Sequence, residues 1–199
     1  MRHTPVLTLV VALVACQSAP SAPASGDVGC DGTTYPPWQT SAYVLPYPVG
    51  VTHSVDLSNC SGSYHSAGLP DELAIDFAMP IGTVITASRD GTVVQVEESG
   101  VDGDFPNNLV VVDHGDGTFA QYMHLTENGA LVSIGATVSR GDTVGHSGAT
   151  GLAGYPHLHF VVSGGDWPWP YGSVPVTFSN TEANPRSLRA GAAYAALPF

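Results

Sequence analysis

Beyond about Pro36 no stretch of this chain repeats its apolar residues with a helical period; they alternate in short runs, and each run stops at a Gly, Pro, Asn or Asp turn. A chain punctuated in this way buries its apolar residues on the faces of short strands rather than along helices. "ELAIDFAMP" sets Leu73, Ile75 and Phe77 on one side and Glu72, Ala74, Asp76 and Ala78 on the other. "GTVITASRDGTVVQVEE" predicts a hairpin at Asp90-Gly91, and "NNLVVVDHGDGTFAQYMHL" predicts two strands around "GDG". "GALVSIGATVSRGDTVGHSG" adds short strands, its RGD reading as a glycine turn rather than an adhesion motif. The 23 Gly, 16 Pro and 11% charged residues agree, and 199 residues support one sizeable core. The expectation is an all-β domain, single-sheet or sandwich-like.

With Lys+Arg 5 against Asp+Glu 17, the chain lacks the clustered cations that phosphate binding needs, which excludes nucleic acid as a partner. A cation site is not excluded.

The amino terminus has a basic start, an apolar run from Val6 to Ala15, and then Cys16. The run is too short for a stable span and reads as the core of a signal peptide. "LVAC", Leu13 to Cys16, resembles the lipobox of bacterial lipoproteins, which implies a lipid on Cys16. Gln17 after the cysteine, by resemblance to sorting signals, implies the outer membrane where the host has one, and otherwise the cell surface. The three cysteines fit this reading: with Cys16 lipidated, Cys30 and Cys60 remain, and an exported compartment favours their pairing. That bridge would stabilise the fold by roughly 3 to 4 kcal/mol in the chain-entropy treatment. The Ser/Ala/Pro stretch after Cys16 reads as a tether.

Eight histidines carry the remaining chemistry. His3 falls in the signal, His114 at a hairpin tip, His146 in a loop, and His53 lacks an evident partner. In "GYPHLHFVV", His157 and His159 point the same way from one strand, roughly 6.6 Å apart along the chain. His124 ends "FAQYMHL", where Ala120, Tyr122 and His124 share a face. Asp76 is a carboxylate between Ile75 and Phe77, and burying it demands a cation or strong donors. Basic residues are too few to make an ion pair the ready answer, whereas Asp76 with a histidine cluster is the N/O donor set that zinc takes.

At these residues "AIDFAMPIGTVITASRDGTVV", "NNLVVVDHGDGTFAQYMHL", "SRGDTVGHSGATG" and "YPHLHFVV" resemble, in order and spacing, the lysostaphin-like (LytM-type) zinc metallopeptidases, over about residues 60 to 165. The resemblance implies a compact antiparallel β-sheet domain, barrel-sandwich-like, with a catalytic groove. It implies one Zn2+ held by Asp76 and His159, with His157 and His124 in the catalytic positions. The first histidine ligand departs from the common H-x-x-x-D spacing, which falls here on Glu72. His65, in "YHSAGLPDELAID", offers an upstream alternative through a loop whose Gly68 and Pro70 could fold it back. Imidazole and the loop favour His65; both candidates stay open at this point.

The implied function is zinc-dependent hydrolysis of peptidoglycan peptide bonds by an exported, membrane-anchored monomer. Proton transfers would be shared between His124 and His157, and the Phe105–Asn108 loop would form a groove wall. The alternative is a non-catalytic cell-wall-binding or hydrolase-activating lipoprotein of the same fold. "WPWPYG", Trp167 to Gly172, reads as packing against a sheet edge, or else as a carbohydrate or partner platform. The expected organisation is a signal peptide (1–15), a lipidated tether and arm (16–36), a peptidase domain (37–180) and a C-terminal tail (181–199).

Overall fold

In the computed structural model, which describes residues 28–199, the alternating runs become strands. The expected signal peptide, Cys16 and most of the tether lie outside the described residues. The strands are β1 (Thr52–Leu57), β2 (Ile75–Ala78), β3 (Val84–Thr86), β4 (Gly91–Glu97), β5 (Leu109–Asp113) and β6 (Thr118–Met123). They continue with β7 (Leu125–Ala130), β8 (Thr137–Val138), β9 (Thr143–Ser147), β10 (His157–Gly164), β11 (Gly172–Ser173) and β12 (Ala193–Ala195). A large antiparallel sheet runs β12-β1-β2-β10-β6-β5-β4-β8, with β11 paired to the end of β10. A small sheet runs β3-β9-β7. Among the described residues no helix is long and apolar enough to cross a membrane.

The period-2 pattern decides where the core sits. From the large sheet Ile75, Phe77, Val110, Val112, Ala120, Tyr122, Leu158, Phe160 and Val162 face inward, and Ile85, Leu125 and Val144 of the small sheet pack against them. The intervening residues of the same strands, among them Asp76, Gln121, Met123 and His159, occupy the opposite face of the large sheet and line a groove.

The "GDG" turn joins β5 to β6, with Gly115 at φ 75° and Gly117 at φ 84°, both in the left-handed region. The hairpin expected at Asp90-Gly91 does not form. β3 pairs with β9, while β4 pairs with β5 and β8, so this dipeptide carries the chain from one sheet to the other. Gly91 is required there by close approach: a Cβ would lie 2.4 Å from the Asp113 carbonyl oxygen. His146 belongs to β9 rather than to a loop. Residues 181–199, set apart above as a tail, contribute β12 to the edge of the large sheet and Leu188, Tyr194 and Ala196 to the core.

Cys30 and Cys60 are bonded, with Cα atoms 5.1 Å apart. Next to the bridge, the Cys60 N–H donates to the Glu72 carbonyl at 2.7 Å, and the Asn59 amide donates to the Leu73 carbonyl at 2.8 Å. The loop between Ser58 and Ala74 is thereby fixed at both ends, which matters for what it carries.

Candidate functional site

The groove floor is the outward face of β2, β10, β6, β5 and β4. Antiparallel register places His159 opposite Asp76 on one side and Met123 on the other, with Leu109 beyond. His159 Nδ1 lies 2.9 Å from Asp76 Oδ1. From the loop, His65 Nε2 reaches 3.3 Å from the same oxygen. His65 is folded back by a turn in which its own N–H donates to the Gly62 carbonyl and Gly68 adopts φ 83°. Glu72, the other candidate, points elsewhere: its Oε2 accepts the Gly68 N–H at 2.6 Å, bracing the loop from outside the groove.

The two remaining imidazoles face the same space. His157 Nδ1 lies 2.8 Å from the Tyr155 carbonyl, which accepts only if Nδ1 carries the proton, so Nε2 presents its lone pair to the groove, 3.8 Å from Asp76 Oδ2. His124 Nδ1 stands in the same relation to the Thr150 carbonyl at 2.7 Å. Simple alternation would have left His124 on the core side with Tyr122. Instead β6 stops at Met123 and His124 adopts φ 63°, a left-handed conformation that turns the ring into the groove, 4.7 Å from the His157 ring. Asn107 Oδ1 holds this backbone by accepting the His124 N–H at 3.0 Å.

Burial by itself would raise the Asp76 carboxyl, but hydrogen bonds from His159 and His65, and their charges, hold it far below the usual carboxylate range. For His159 burial lowers the pKa, yet the hydrogen bonds to Asp71 and Asp76 outweigh it and push the metal-free imidazole up to about 10. His124 is brought down to about 3, first by burial and then by the nearby charges of His159 and His157, and is neutral under ordinary conditions. Two residues that sequence reasoning passed over complete the surroundings. Asp71 Oδ1 lies 3.3 Å from His159 Nε2 and accepts the hydroxyl of Tyr171. In the sequence an Asp after Pro70 reads only as a turn residue, and nothing local marks it further.

Among the described residues two trios could hold a metal ion: His65, Asp76 and His159, and His124, His157 and His159. In each, the donor atoms lie within 4.8 Å of one another. The first trio fits zinc better. Tetrahedral zinc with bonds of about 2.0–2.1 Å spaces its ligand atoms roughly 3.4 Å apart, and this set supplies two imidazoles and the carboxylate charge. Asp76 has no arginine partner among the described ion pairs, so a cation would answer its burial. In the first trio His159 also keeps its other nitrogen on a carboxylate, the arrangement that fixes a ligating histidine.

The groove walls are largely apolar. Tyr64, Phe105, Leu152, Tyr155 and Trp169 line it while remaining exposed. The Trp-Pro segment therefore borders the groove instead of packing on a sheet edge, with Trp169 meeting Tyr171 edge-on at 5.7 Å.

A β-sheet floor carrying a buried N2O trio beside two further oriented imidazoles describes a candidate metal centre. Residues 71–169 match the family model described as Peptidase family M23, and the chain carries a domain of that family. It is 45% identical over 87 residues to the peptidoglycan DD-endopeptidase ShyA of Vibrio cholerae serotype O1, covering 44% of this chain and 19% of that protein. It is 34% identical over 116 residues to lysostaphin of Staphylococcus simulans, covering 58% of this chain and 19% of that one. A crystal structure of a zinc-containing peptidase from Vibrio cholerae superposes with a TM-score of 0.46 at 30% identity, over 61% of this chain and 37% of that one. The chain thus spans about a fifth of the length of the curated relatives it matches.

Proposed function

We propose that this protein is a zinc-dependent endopeptidase that hydrolyses peptide bonds of peptidoglycan, with His65, Asp76 and His159 as ligands and His124 and His157 as the proton-handling residues. The observation that carries the reading is the convergence of His65 Nε2 and His159 Nδ1 on Asp76 Oδ1, with the His157 Nε2 lone pair turned toward the same carboxylate. The M23 domain and the names of its relatives, ShyA among them, support the choice of substrate. Zinc in such a donor set supplies Lewis-acid chemistry for attack on a carbonyl.

The rest falls to the chain's own groups. His157 and His124 each keep Nδ1–H on a backbone carbonyl, so only Nε2 can take a proton from an attacking water or return one to the leaving amine. The carbonyls of Tyr155 and Thr150 fix both tautomers without spending a carboxylate. The open groove admits an extended peptide across the sheet face.

The same reading makes the chain an exported lipoprotein, anchored through Cys16 and acting as a monomer on the wall, with the outer membrane as the address where one exists. "LVAC" and the preceding apolar run support this. Acyl chains on Cys16 in mass spectra of the mature protein test it, and an unmodified Cys16 removes it.

The activity is tested by release of muropeptides from purified wall. His157→Ala and His124→Ala should each lower the rate by about 100- to 10,000-fold while leaving one zinc per chain. Full activity in both, or none in zinc-loaded protein offered varied cross-links, moves the chain to the wall-binding class.

A further inference from the structure

The groove that holds the candidate centre encloses about 730 Å³ and is lined by aromatic and aliphatic side chains, three amides, and the histidines and aspartates already described. Among the described residues its lining includes no arginine or lysine. All five basic residues of the sequence are arginines, and the four among the described residues are committed away from the groove. Arg89 bonds Asp116 at 2.7 Å, Arg186 bonds Asp31 at 3.2 Å, Arg140 lies over the Phe199 ring, and Arg189 borders a separate cavity beside the disulfide. The acidic groups of the groove, Asp71 and Asp76, are enough to balance a divalent cation. A loaded centre would therefore offer no surplus positive charge, on a chain whose formal charge is −12.

What the groove does offer is suited to uncharged peptide. Gln95 lies on the floor, Asn107 keeps its amide nitrogen on the wall while its Oδ1 holds the His124 N–H, and Gln121 keeps its carbonyl while its Nε2 donates to Ser163 Oγ; Tyr64, Phe105 and Trp169 present exposed ring faces. Amides pair with peptide N–H and C=O groups, and rings cover apolar side chains or sugar faces. A carboxylate placed among them, away from the metal, would lose its hydration and meet no arginine or lysine, which is the costly arrangement for a buried charge.

We propose that the groove selects cross-links in which the carboxylates flanking the scissile bond are amidated or absent, over the same cross-links with those carboxylates free. This rests on the peptidase reading above and names its substrate class. Discrimination arises from desolvation and from repulsion by an acidic chain, so it should be largest at low ionic strength.

The test uses the zinc-loaded full chain and two synthetic cross-linked peptides, identical except that the flanking carboxylates are free in one and amidated in the other. Expected is a kcat/KM about tenfold or more in favour of the amidated peptide in dilute buffer, expressed mainly in KM and narrowing with added salt. Gln95→Arg, which places a cation on the floor, should shrink the ratio between the two. Equal rates, or preference for the free acid, overturn the proposal. If neither peptide is cut, the peptidase reading fails, and calorimetric binding of the same pair still decides the charge preference. Tighter binding of the amidated peptide upholds it, and equal binding overturns it.

Discussion

Asp71 Oδ1 accepts from His159 Nε2 at 3.3 Å, and Tyr171 donates its hydroxyl to the same oxygen. The imidazole is thereby held with Nε2 toward Asp71 and Nδ1 turned toward Asp76. Asp71→Ala should weaken zinc binding by about 10- to 100-fold without altering the stoichiometry at saturating metal. Competition titration against a chelator reads this directly. An unchanged affinity would mean that strand packing alone orients His159.

His65 and Glu72 separate by metal content. His65→Ala should abolish stoichiometric zinc, because it removes a donor 3.3 Å from Asp76 Oδ1. Glu72→Ala removes only the brace on Gly68 and should leave one zinc per chain. Elemental analysis of both purified variants decides, and the opposite pattern would transfer the ligand role to Glu72.

Acid should loosen the metal-free fold partly through His124. An unfolded histidine takes up its proton near pH 6.5, whereas the folded one resists until about 3 because it is buried beside other imidazoles. Between these values the unfolded state binds more protons, so this contribution is complete above about 6.5 and drains away as pH falls toward 3. Urea midpoints at about pH 4.5 and 7 should differ less in His124→Ala than in the parent protein. An identical difference would assign the acid sensitivity to other groups.

Cys30 and Cys60 clamp the loop that carries His65. Replacing both with serine should lower stability by roughly 3 to 4 kcal/mol and weaken zinc binding as well, since the loop loses one of its anchors. Denaturation and metal titration on the double variant measure the two effects. A stability loss with unchanged zinc affinity would show that hydrogen bonds from Asn59 and Cys60 hold the loop unaided.

Much of this was legible in the sequence because strand alternation is a strict code. Spacing put His157 and His159 on one side of their strand and Asp76 on the side away from Ile75 and Phe77 in its own; only the resemblance joined the two strands, and in the fold these side chains share one face. Two positions escaped the code for different reasons. His124 sits one residue past its strand in a left-handed conformation, which reverses the side that alternation assigns. The path of His65 depends on a loop whose shape is set by contacts distant in sequence, among them the bridge to Cys30. Asp90-Gly91 has the composition of a hairpin turn, yet its strands join different sheets, a choice made by tertiary packing. The Trp-Pro segment gave no periodicity from which to read its side of the sheet.

β10 has two working faces, with Phe160 on one and His159 on the other. A slip of a single residue against β2 would exchange them, sending the imidazole into oil and the phenyl ring into the water-filled cleft. Mispaired chains would therefore be inert as well as unstable. Under the proposed function, catalytic turnover in a preparation of this protein would count the molecules that had zipped up correctly.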